Sequence, residues 1–540
     1  MNERSRGADM VVDTLRKAGV RTIFALSGNH IMPIFDATIG AGIDLIHVRH
    51  EAAAVHMADA YARITGHVGV ALVTGGPGHA NAMGALCTAL DGESPVLLLS
   101  GHAPHSEQGL GAFQEFRQAE IAAPLTKASW TSQSVSTLSD DIMHGLRIAC
   151  SARPGPVNVS IPIDMLLARW QQENVTTDFD PKVQYLAAET AQAVITILRQ
   201  GKRPLVVAPP ALCTIRGRAA LERLRLMGLP VIAMESPRGI YDPSLGDIAS
   251  LLAKVDVLVL LGKALDFTLK FGATMAFAED CRWVVLEPDA IILDRVTRLL
   301  GDRLALKAIA DPFAAIVALQ QVADAGFEHA RAWNDHVEYA LARRDMPPAC
   351  DAEQALNSAT MCMVIGNFLH AREDVIFVSD GGEIGQWAQA LIATETRIIN
   401  GMAGAIGPAI PFAIGAKAAA PSRPVLAVMG DGAFGFHMAE FDTAVRHGLP
   451  FVAVVGNDAR WNAEYQIQLR DYGPERTVSC DLLPATRYDA VVAAMGGYGE
   501  LVTSLADLDA ALTRAFASGK PACLNVLIEG LAAPNFKPSG

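Results

Sequence analysis

The chain has 540 residues, of which 51% are apolar and 19% are charged, and this composition is typical of a large globular protein of about three domains. Its net charge of −13, with basic residues scattered along the chain, argues against a general nucleic-acid binder. The longest apolar stretches, such as residues 255–262, are far shorter than the roughly 20 residues of a membrane helix, and the N-terminal sequence lacks a signal-peptide pattern, so we expect a cytoplasmic protein without a membrane span.

The first predicted domain, residues 1–170, alternates short β-branched runs with helical patterns, as in a parallel sheet that helices cover on both faces. Glu51 follows the second strand and begins an Ala-rich helix, a position where a glutamate is also favourable to the helix dipole alone. The glycines of TGGPGHANAMG, residues 74–84, permit close approach of a ligand. We predict strands at residues 22–26, 45–49, 69–74, 96–101 and 156–162.

The second predicted domain, residues 185–325, follows a polar stretch at 171–182 and carries no strong motif. Charged helical sequence at 329–344 and the segment MPPACD that follows predict a linker into the third domain. The eight cysteines of the whole chain are dispersed without a CxxC pair, which predicts buried thiols rather than disulfides or a zinc site. We predict strands of the second domain at residues 204–208, 230–234, 255–262 and 282–288.

The third predicted domain, residues 350–535, contains the strongest local signal, in which an apolar strand ends on Gly430-Asp431-Gly432 and a helical pattern follows. Such a loop presents backbone N–H groups to phosphate, and the helix start favours negative charge. The same segment satisfies G-x-G-x-x-G through Gly430, Gly432 and Gly435, so a dinucleotide site is an alternative. We predict strands at residues 375–380, 424–432, 451–458 and 523–529.

A metal ion explains the aspartate inside this loop. The carboxylate of Asp431 would repel a pyrophosphate unless a cation lay between them. Asp458 ends the next strand and would reach the same carboxyl edge of the sheet, where open α/β proteins bind ligands. Asp431, Asp458 and a backbone carbonyl, that of Arg460, would give Mg²⁺ three oxygen ligands, with phosphates supplying more.

Together these motifs resemble the thiamine-diphosphate enzymes of the acetolactate synthase, benzaldehyde lyase and 2-hydroxyacyl-CoA lyase type. RHEAAA places Glu51 on the activating glutamate of that family, and Gly430-Asp431-Gly432 with Asn457-Asp458 matches its metal and diphosphate motif. The resemblance implies an α/β fold of three doubly wound parallel-sheet domains, which are pyrimidine-binding, central Rossmann-like and diphosphate-binding. It also implies thiamine diphosphate and Mg²⁺ as cofactors, and a homodimer or homotetramer whose sites are shared between subunits.

The resemblance assigns roles residue by residue. Glu51 would hydrogen-bond the pyrimidine ring of the cofactor and favour the tautomer that removes the proton from thiazolium C2. Ile406 would wedge between the two rings of the cofactor. Where relatives commonly have asparagine, this chain has Asp458, which implies a cofactor affinity that depends strongly on Mg²⁺ concentration. The implied cofactor-binding residues, besides Glu51, are Gly76, Pro77, Gly381, Gly382, Glu383, Gly404, Ile406, Gly430, Gly432 and Ala433.

The reaction is less closely defined by the sequence. FALSGNHIMP resembles the benzaldehyde lyase loop and makes His30 a candidate for proton transfer, whereas GAFQEFRQAE and LLGKALDFTLKFG favour the 2-hydroxyacyl-CoA lyase and oxalyl-CoA decarboxylase branch. The preferred interpretation is a lyase, carboligase or decarboxylase acting on a 2-oxo acid or 2-hydroxyketone. A CoA thioester lyase is second, and a non-catalytic thiamine-diphosphate-binding protein is third. The expected substrate-contacting residues are Asn29, His30, Gln114, Trp461, Asn462 and Tyr465.

The central domain leaves a further alternative open. Some relatives bind FAD or an adenine nucleotide there and others bind nothing, and no motif in this chain decides between them.

Overall fold

A computed structural model describes residues 5–170, 180–323, 326–327, 330–344 and 356–534. The described chain forms three α/β domains, each built on a parallel sheet, and a short antiparallel ribbon, Ser5–Arg6 with Arg169–Trp170, closes the first domain. No described helix is long and apolar enough to cross a membrane. The predicted fold class is confirmed.

The first domain has a sheet of six parallel strands. Across the sheet the strands are Asp44–His47, Thr22–Ala25, Gly69–Val73, Val96–His102, Val157–Pro162 and Ala128–Thr131. Its helices are Gly7–Lys17, Met32–Ala37, Glu51–Thr65, Pro77–Asp91, Gln118–Ala122, Leu138–Cys150 and Ile163–Leu167.

The central domain has a sheet of five parallel strands, in the order Val231–Ala233, Pro204–Ala208, Val257–Leu261, Arg282–Leu286 and Leu304–Ala308. Its helices are Ala188–Gln200, Ile215–Leu226, Ile248–Leu252, Ala290–Leu300, Pro312–Val322 and Arg331–Ala342.

The third domain repeats the six-stranded parallel arrangement. Its strands, in order, are Thr396–Ile399, Ile376–Ser379, Val425–Gly430, Val452–Asn457, Ala522–Leu527 and Tyr498–Val502. Its helices are Ser358–His370, Gly382–Leu391, Ala409–Ala419, Asp431–His437, Glu440–Arg446, Asn462–Tyr472, Tyr488–Ala494 and Leu505–Ala517.

Alternate residues along the strands enter different cores, because successive side chains of a strand point to opposite faces. In the third domain Ala427 belongs to one core and Val428 to another. One core is shared by the first and third domains and contains both Met57 and Phe412. The helices Glu51–Thr65 and Ala409–Ala419 pack closely there, and a Cβ at Gly415 would overlap the backbone of Met57. This packing fixes the first and third domains of one chain against each other.

The helical sequence that was predicted to be part of a linker forms a helix packed on the central domain. Residues 331–342 form a helix, and its Trp333, Val337 and Ala340 pack into a core of the central domain. The apolar spacing of three and four residues along one helical face explains this packing. The central domain therefore extends beyond the predicted end at residue 325. The segment MPPACD and most of the polar stretch at 171–182 lie outside the described residues.

The prediction of buried cysteine thiols is confirmed for most of the described cysteines, whereas Cys87 and Cys150 are half-buried. Seven are free thiols, five of them buried, and Cys350 lies outside the described residues.

Candidate functional site

The predicted metal residues follow two adjacent strands of the third sheet, Val425–Gly430 and Val452–Asn457, which pair in parallel. Asp431 and Asp458 therefore emerge at the same carboxyl edge, where open parallel sheets bind ligands. A cavity of about 290 Å³ opens at this edge. Both aspartates line it, with the further predicted residues Gly381, Gly382, Glu383, Gly404, Ile406, Gly430, Gly432, Ala433, Arg460, Trp461 and Asn462.

Asp431 is buried at the start of the short helix Asp431–His437. Its Oδ1 accepts a hydrogen bond from the N–H of Gly432 at 2.9 Å, whereas its Oδ2 has no hydrogen-bond partner among the described residues. Burial raises the pKa of Asp431 to about 6. A buried carboxylate oxygen without a partner is costly unless a donor or cation meets it, so Asp431 fits the role of a metal ligand.

Asp458 lies close enough to Asp431 for their charges to interact. Burial, and next the charge of Asp431, raise the pKa of Asp458 to about 7. A divalent cation would stabilise two such carboxylates, and Mg²⁺ prefers oxygen ligands. Within the described parts of the chain, no group of three or more His, Cys, Asp and Glu side chains could hold a metal. A cation at these aspartates would thus take its other ligands from backbone carbonyls, water or a bound anion.

The chain turns sharply after Asp458. Ala459 has a φ of 56°, in the left-handed region that few non-glycine residues adopt. The side chain of Arg460 is engaged elsewhere, because its Nε donates to Asp481 at 3.0 Å and its guanidinium lies 4.4 Å from the ring centre of Tyr465. The metal contact predicted for Arg460 accordingly concerns its backbone carbonyl. Tyr465 does not line the cavity.

Trp461 and Asn462 line the cavity and also support its walls. The indole of Trp461 packs where Gly432 has no side chain, since a Cβ there would lie 2.6 Å from the ring. The amide of Asn462 donates to the carbonyl of Leu531 at 2.9 Å and accepts from Gln466 at 3.1 Å. Both predicted substrate residues therefore have structural contacts as well.

A buried aspartate, directly before the predicted residues Gly381, Gly382 and Glu383, holds the loop that carries Ile406. The carboxylate of Asp380 accepts N–H groups of Gly381 at 2.7 Å, Gly407 at 2.9 Å and Ala409 at 3.0 Å. Burial raises the pKa of Asp380, while these hydrogen bonds oppose the shift. The side chain of Asn400 donates to the carbonyl of Ala405 at 2.9 Å. The loop that carries Ile406 is thus fixed against the start of the helix Gly382–Leu391.

Glu51 is buried at the first turn of the helix Glu51–Thr65. Its Oε2 accepts a hydrogen bond from Nδ2 of Asn81 at 3.0 Å. Its Oε1 lies beside Gly78, where a Cβ would stand 3.2 Å away. The helix dipole and Asn81 orient the carboxylate toward the glycine-rich segment 74–84. Asn81 belongs to the segment noted in the sequence, but its contact with Glu51 was not predicted.

The loop before the helix Pro77–Asp91 has a backbone that requires glycine. Gly76 has a φ of 60°, and its N–H donates to Oε1 of Gln118 at 2.9 Å. Gln114 packs against it, since a Cβ at Gly76 would lie 2.8 Å from the Cβ of Gln114. The structure therefore brings together three predicted residues, Gly76, Pro77 and Gln114.

His30 is buried beside this loop. Its Nδ1 lies 3.3 Å from Oγ1 of Thr74, and its ring lies 6.3 Å from that of Phe113. Burial lowers the pKa of His30, which favours the neutral imidazole that proton transfer needs. Asn29 is exposed next to it.

Two further histidines lie close to the predicted cofactor-binding segments, His79 within residues 74–84 and His437 at the end of the helix Asp431–His437. His79 is buried, with Nδ1 2.8 Å from Oγ of Ser100, and burial lowers its pKa to about 4. His437 packs against the rings of His50 and His56 between the first and third domains, and burial lowers its pKa to about 3. Nε2 of His79 and Nδ1 of His437 have no hydrogen-bond partner among the described residues.

The first-domain residues and the cavity of the third domain do not meet within one chain. Apart from Arg238 of the central domain, every residue that lines the cavity belongs to the third domain. The chain thus presents a buried glutamate in one place and a two-carboxylate cavity in another.

Comparison with known proteins identifies both places. The family model "Thiamine pyrophosphate enzyme, N-terminal TPP binding domain" matches residues 5–121, which include Glu51 and the segment 74–84. The model "Thiamine pyrophosphate enzyme, C-terminal TPP binding domain" matches residues 380–526, which include Asp431 and Asp458. Thiamine pyrophosphate is the compound called thiamine diphosphate above.

Similarity to individual proteins extends over nearly the whole chain. The "Probable acetolactate synthase" of Mycobacterium bovis is 31% identical over 536 residues, which span 96% of this chain and 95% of that protein. The "2-hydroxyacyl-CoA lyase 2" of Caenorhabditis elegans is 29% identical over 591 residues, which span 98% of this chain and 90% of that protein. The protein of the same name from Homo sapiens is 30% identical over 552 residues, which span 92% of this chain and 85% of that protein. The chain therefore belongs to the thiamine pyrophosphate enzymes, in the group that includes acetolactate synthase and 2-hydroxyacyl-CoA lyase 2.

Proposed function

We propose that the protein is a Mg²⁺- and thiamine diphosphate-dependent enzyme that cleaves or forms a C–C bond next to a carbonyl group, with a 2-oxo acid or 2-hydroxyketone as substrate. The observation that carries this proposal is the pair of carboxylates, buried Asp431 and half-buried Asp458, in one cavity with glycine-rich loops. Oxygen ligands of this kind suit Mg²⁺, and the loops leave room for a diphosphate.

Each part of the chain has a separate task in this proposal. Bound thiamine diphosphate supplies a nucleophilic carbon and an electron sink. Asp431 and Asp458 hold the cation, and Ile406, held through the contacts of Asp380, shapes the cavity wall that faces the cofactor. Glu51, oriented by Asn81, holds or exchanges a proton at the pyrimidine ring.

The substrate is tested by a product-resolved screen with pyruvate, benzoylformate, benzoin and a 2-hydroxyacyl-CoA, with Mg²⁺ and thiamine diphosphate present. Turnover of pyruvate, benzoylformate or benzoin supports the proposed substrate class. Turnover of the CoA thioester alone would replace it with the second candidate.

That second candidate, a 2-hydroxyacyl-CoA lyase, has its own support. Several relatives carry the name 2-hydroxyacyl-CoA lyase 2. The exposed Arg238 lines both the cofactor cavity and an adjoining cavity of about 290 Å³ whose other walls include Gln386, Gln389 and Asn400. A guanidinium beside polar amides would suit the phosphates of CoA.

Two copies of the chain complete the site in this proposal. Glu51 and the two aspartates do not share a cavity within one chain, and exposed apolar side chains occur in both domains. A second copy would cover them. In the first domain Phe113, next to His30, is exposed, and those in the third domain around the helix Asn462–Tyr472 are Ile467, Tyr472, Val478 and Leu483.

Mixing two inactive variants tests this arrangement. If each site takes Glu51 from one chain and Asp431 from the other, a heterodimer of Glu51→Gln and Asp431→Ala has one intact site of two. Statistical exchange of subunits is then expected to restore about a quarter of the wild-type activity. Each variant alone, taken through the same dissociation and reassociation, is the control. An exchanged mixture that stays inactive would show that both residues serve the same chain's site.

We infer that the central domain binds no flavin or adenine dinucleotide. Pro209 and Pro210 follow the strand Pro204–Ala208 and have no N–H group for a phosphate. The guanidinium of Arg153, which lies at these strand ends, is neutralised by Glu93 and, at 2.6 Å, by Glu287. We expect the purified protein to be colourless and to release no flavin on denaturation. Stoichiometric flavin in the supernatant would contradict this expectation.

A further inference from the structure

The segment that follows the last strand of the third sheet is held across the carboxyl edge. The N–H of Leu531 donates to Oγ of Ser358 at 3.2 Å, and Nε1 of Trp387 donates to the carbonyl of Ala532 at 2.9 Å. The N–H of Glu529 donates to the carbonyl of Leu356 at 3.0 Å. Residues on both sides of Gly530 are thus pinned to the domain.

Gly530 lies directly against the carboxylate of Asp458. A Cβ at Gly530 would overlap Oδ2 of Asp458 and would stand 2.9 Å from its Cγ. The same Cβ would lie 3.0 Å from Nδ2 of Asn462, which itself donates to the carbonyl of Leu531. The other oxygen of Asp458, Oδ1, accepts the N–H of Arg460 at 3.2 Å. The carboxylate is therefore confined on two sides.

The backbone at Gly530 does not require glycine, because its φ lies outside the left-handed region. What the position requires is space. The backbone around Gly530 is held by hydrogen bonds, whereas the side chain of Asp458 can rotate about its χ angles at lower energetic cost. A side chain at position 530 would therefore displace the carboxylate of Asp458.

We propose that Gly530 is a positioning residue of the metal site, which sets where the Asp458 carboxylate stands and thereby the affinity for Mg²⁺. This inference rests on the proposed role of Asp458 as a metal ligand. It couples the segment 529–532 to cofactor binding, because any shift of this segment toward the sheet edge moves the carboxylate.

The test is a Mg²⁺ titration of thiamine diphosphate binding to the metal-free, cofactor-free protein, followed by isothermal titration calorimetry. We expect Gly530→Ala to raise the Mg²⁺ concentration for half-maximal cofactor binding about tenfold or more, as changes around a metal ligand do. Ala532→Ser adds one atom to the same segment at an exposed position and is expected to leave the titration unchanged. Thermal melting of each variant without Mg²⁺ shows whether the fold is retained.

A double-variant cycle separates positioning from general damage. If Gly530 acts through Asp458, Gly530→Ala has no further effect on the Mg²⁺ titration in an Asp458→Ala background. An unchanged titration for Gly530→Ala, or an equal loss with and without Asp458, would overturn the inference while the metal site stands. An Asp458→Ala variant with the wild-type Mg²⁺ dependence would instead overturn the metal site itself.

Discussion

Mg²⁺-dependent binding of thiamine diphosphate is expected to be lost when Asp431 is replaced by alanine. Asp431 is buried, its Oδ2 meets no donor among the described residues, and burial raises its pKa to about 6. The variant removes one of two carboxylates for the cation, so we expect the cofactor affinity at fixed Mg²⁺ to fall by about 100-fold or more. Calorimetric titration with thiamine diphosphate, with and without Mg²⁺, measures the loss.

Asp507→Ala is the matched control, because Asp507 is an exposed aspartate of the same domain.

Asp458→Asn is expected to change the Mg²⁺ dependence of cofactor binding less severely than Asp431→Ala. It keeps an oxygen ligand but removes a charge, so we expect cofactor affinity to depend less steeply on Mg²⁺ concentration than in the wild type. Mg²⁺-dependent binding of normal affinity by Asp431→Ala would show that the metal lies elsewhere.

Turnover is expected to fall by about 100-fold to 10,000-fold when Glu51 is replaced by glutamine. Glutamine keeps the size and the hydrogen bond to Asn81, but it removes the carboxylate to which we assign proton exchange with the pyrimidine ring. Initial rates are measured with the substrate that the wild type turns over best in the product screen. Cofactor binding by the variant, measured calorimetrically, is expected to persist, because the residues proposed to hold the metal and the diphosphate lie in the third domain.

Glu107→Gln is the control for a change of glutamate at an exposed position of the same domain. Wild-type turnover of every substrate by Glu51→Gln would contradict the proposed activation. Loss of cofactor binding together with turnover would instead assign Glu51 to binding.

The sheet strands show which part of the fold the sequence reveals. Every predicted strand is present, with ends that differ by at most two residues. The larger strands that were not predicted all lie at sheet edges. An edge strand has only one neighbouring strand and is more exposed to solvent. It therefore lacks the continuous apolar run that marks a buried parallel strand. These strands are Ala128–Thr131, Leu304–Ala308, Thr396–Ile399 and Tyr498–Val502.

The predicted linker differs from the structure for another reason. The stretch 329–344 was predicted as charged helical sequence in a linker, yet seven of the twelve residues of the helix Arg331–Ala342 are apolar and only three are charged. The helical spacing of these apolar residues was the signal that identifies a helix packed on a core.

The site was predictable where its residues are local. Asp431 and Asp458 each follow an apolar strand, so neighbouring strands were enough to bring them together. The contacts that position the site come from distant segments, such as Asp380 to Gly407 and Gly530 to Asp458. One sequence contains no pattern that links residues so far apart, and only the packed chain shows them.

Proton exchange at C2 of bound thiamine diphosphate tests the combined roles of the metal site and Glu51 most directly. The protein is loaded with Mg²⁺ and cofactor, transferred to D₂O, quenched at intervals and analysed by NMR. The wild type is expected to exchange this proton about 100-fold or more faster than free cofactor, and Glu51→Gln is expected to exchange it at close to the free rate. If the wild-type protein bound the cofactor fully and yet its C2 proton exchanged no faster than that of free thiamine diphosphate, this result would contradict the account.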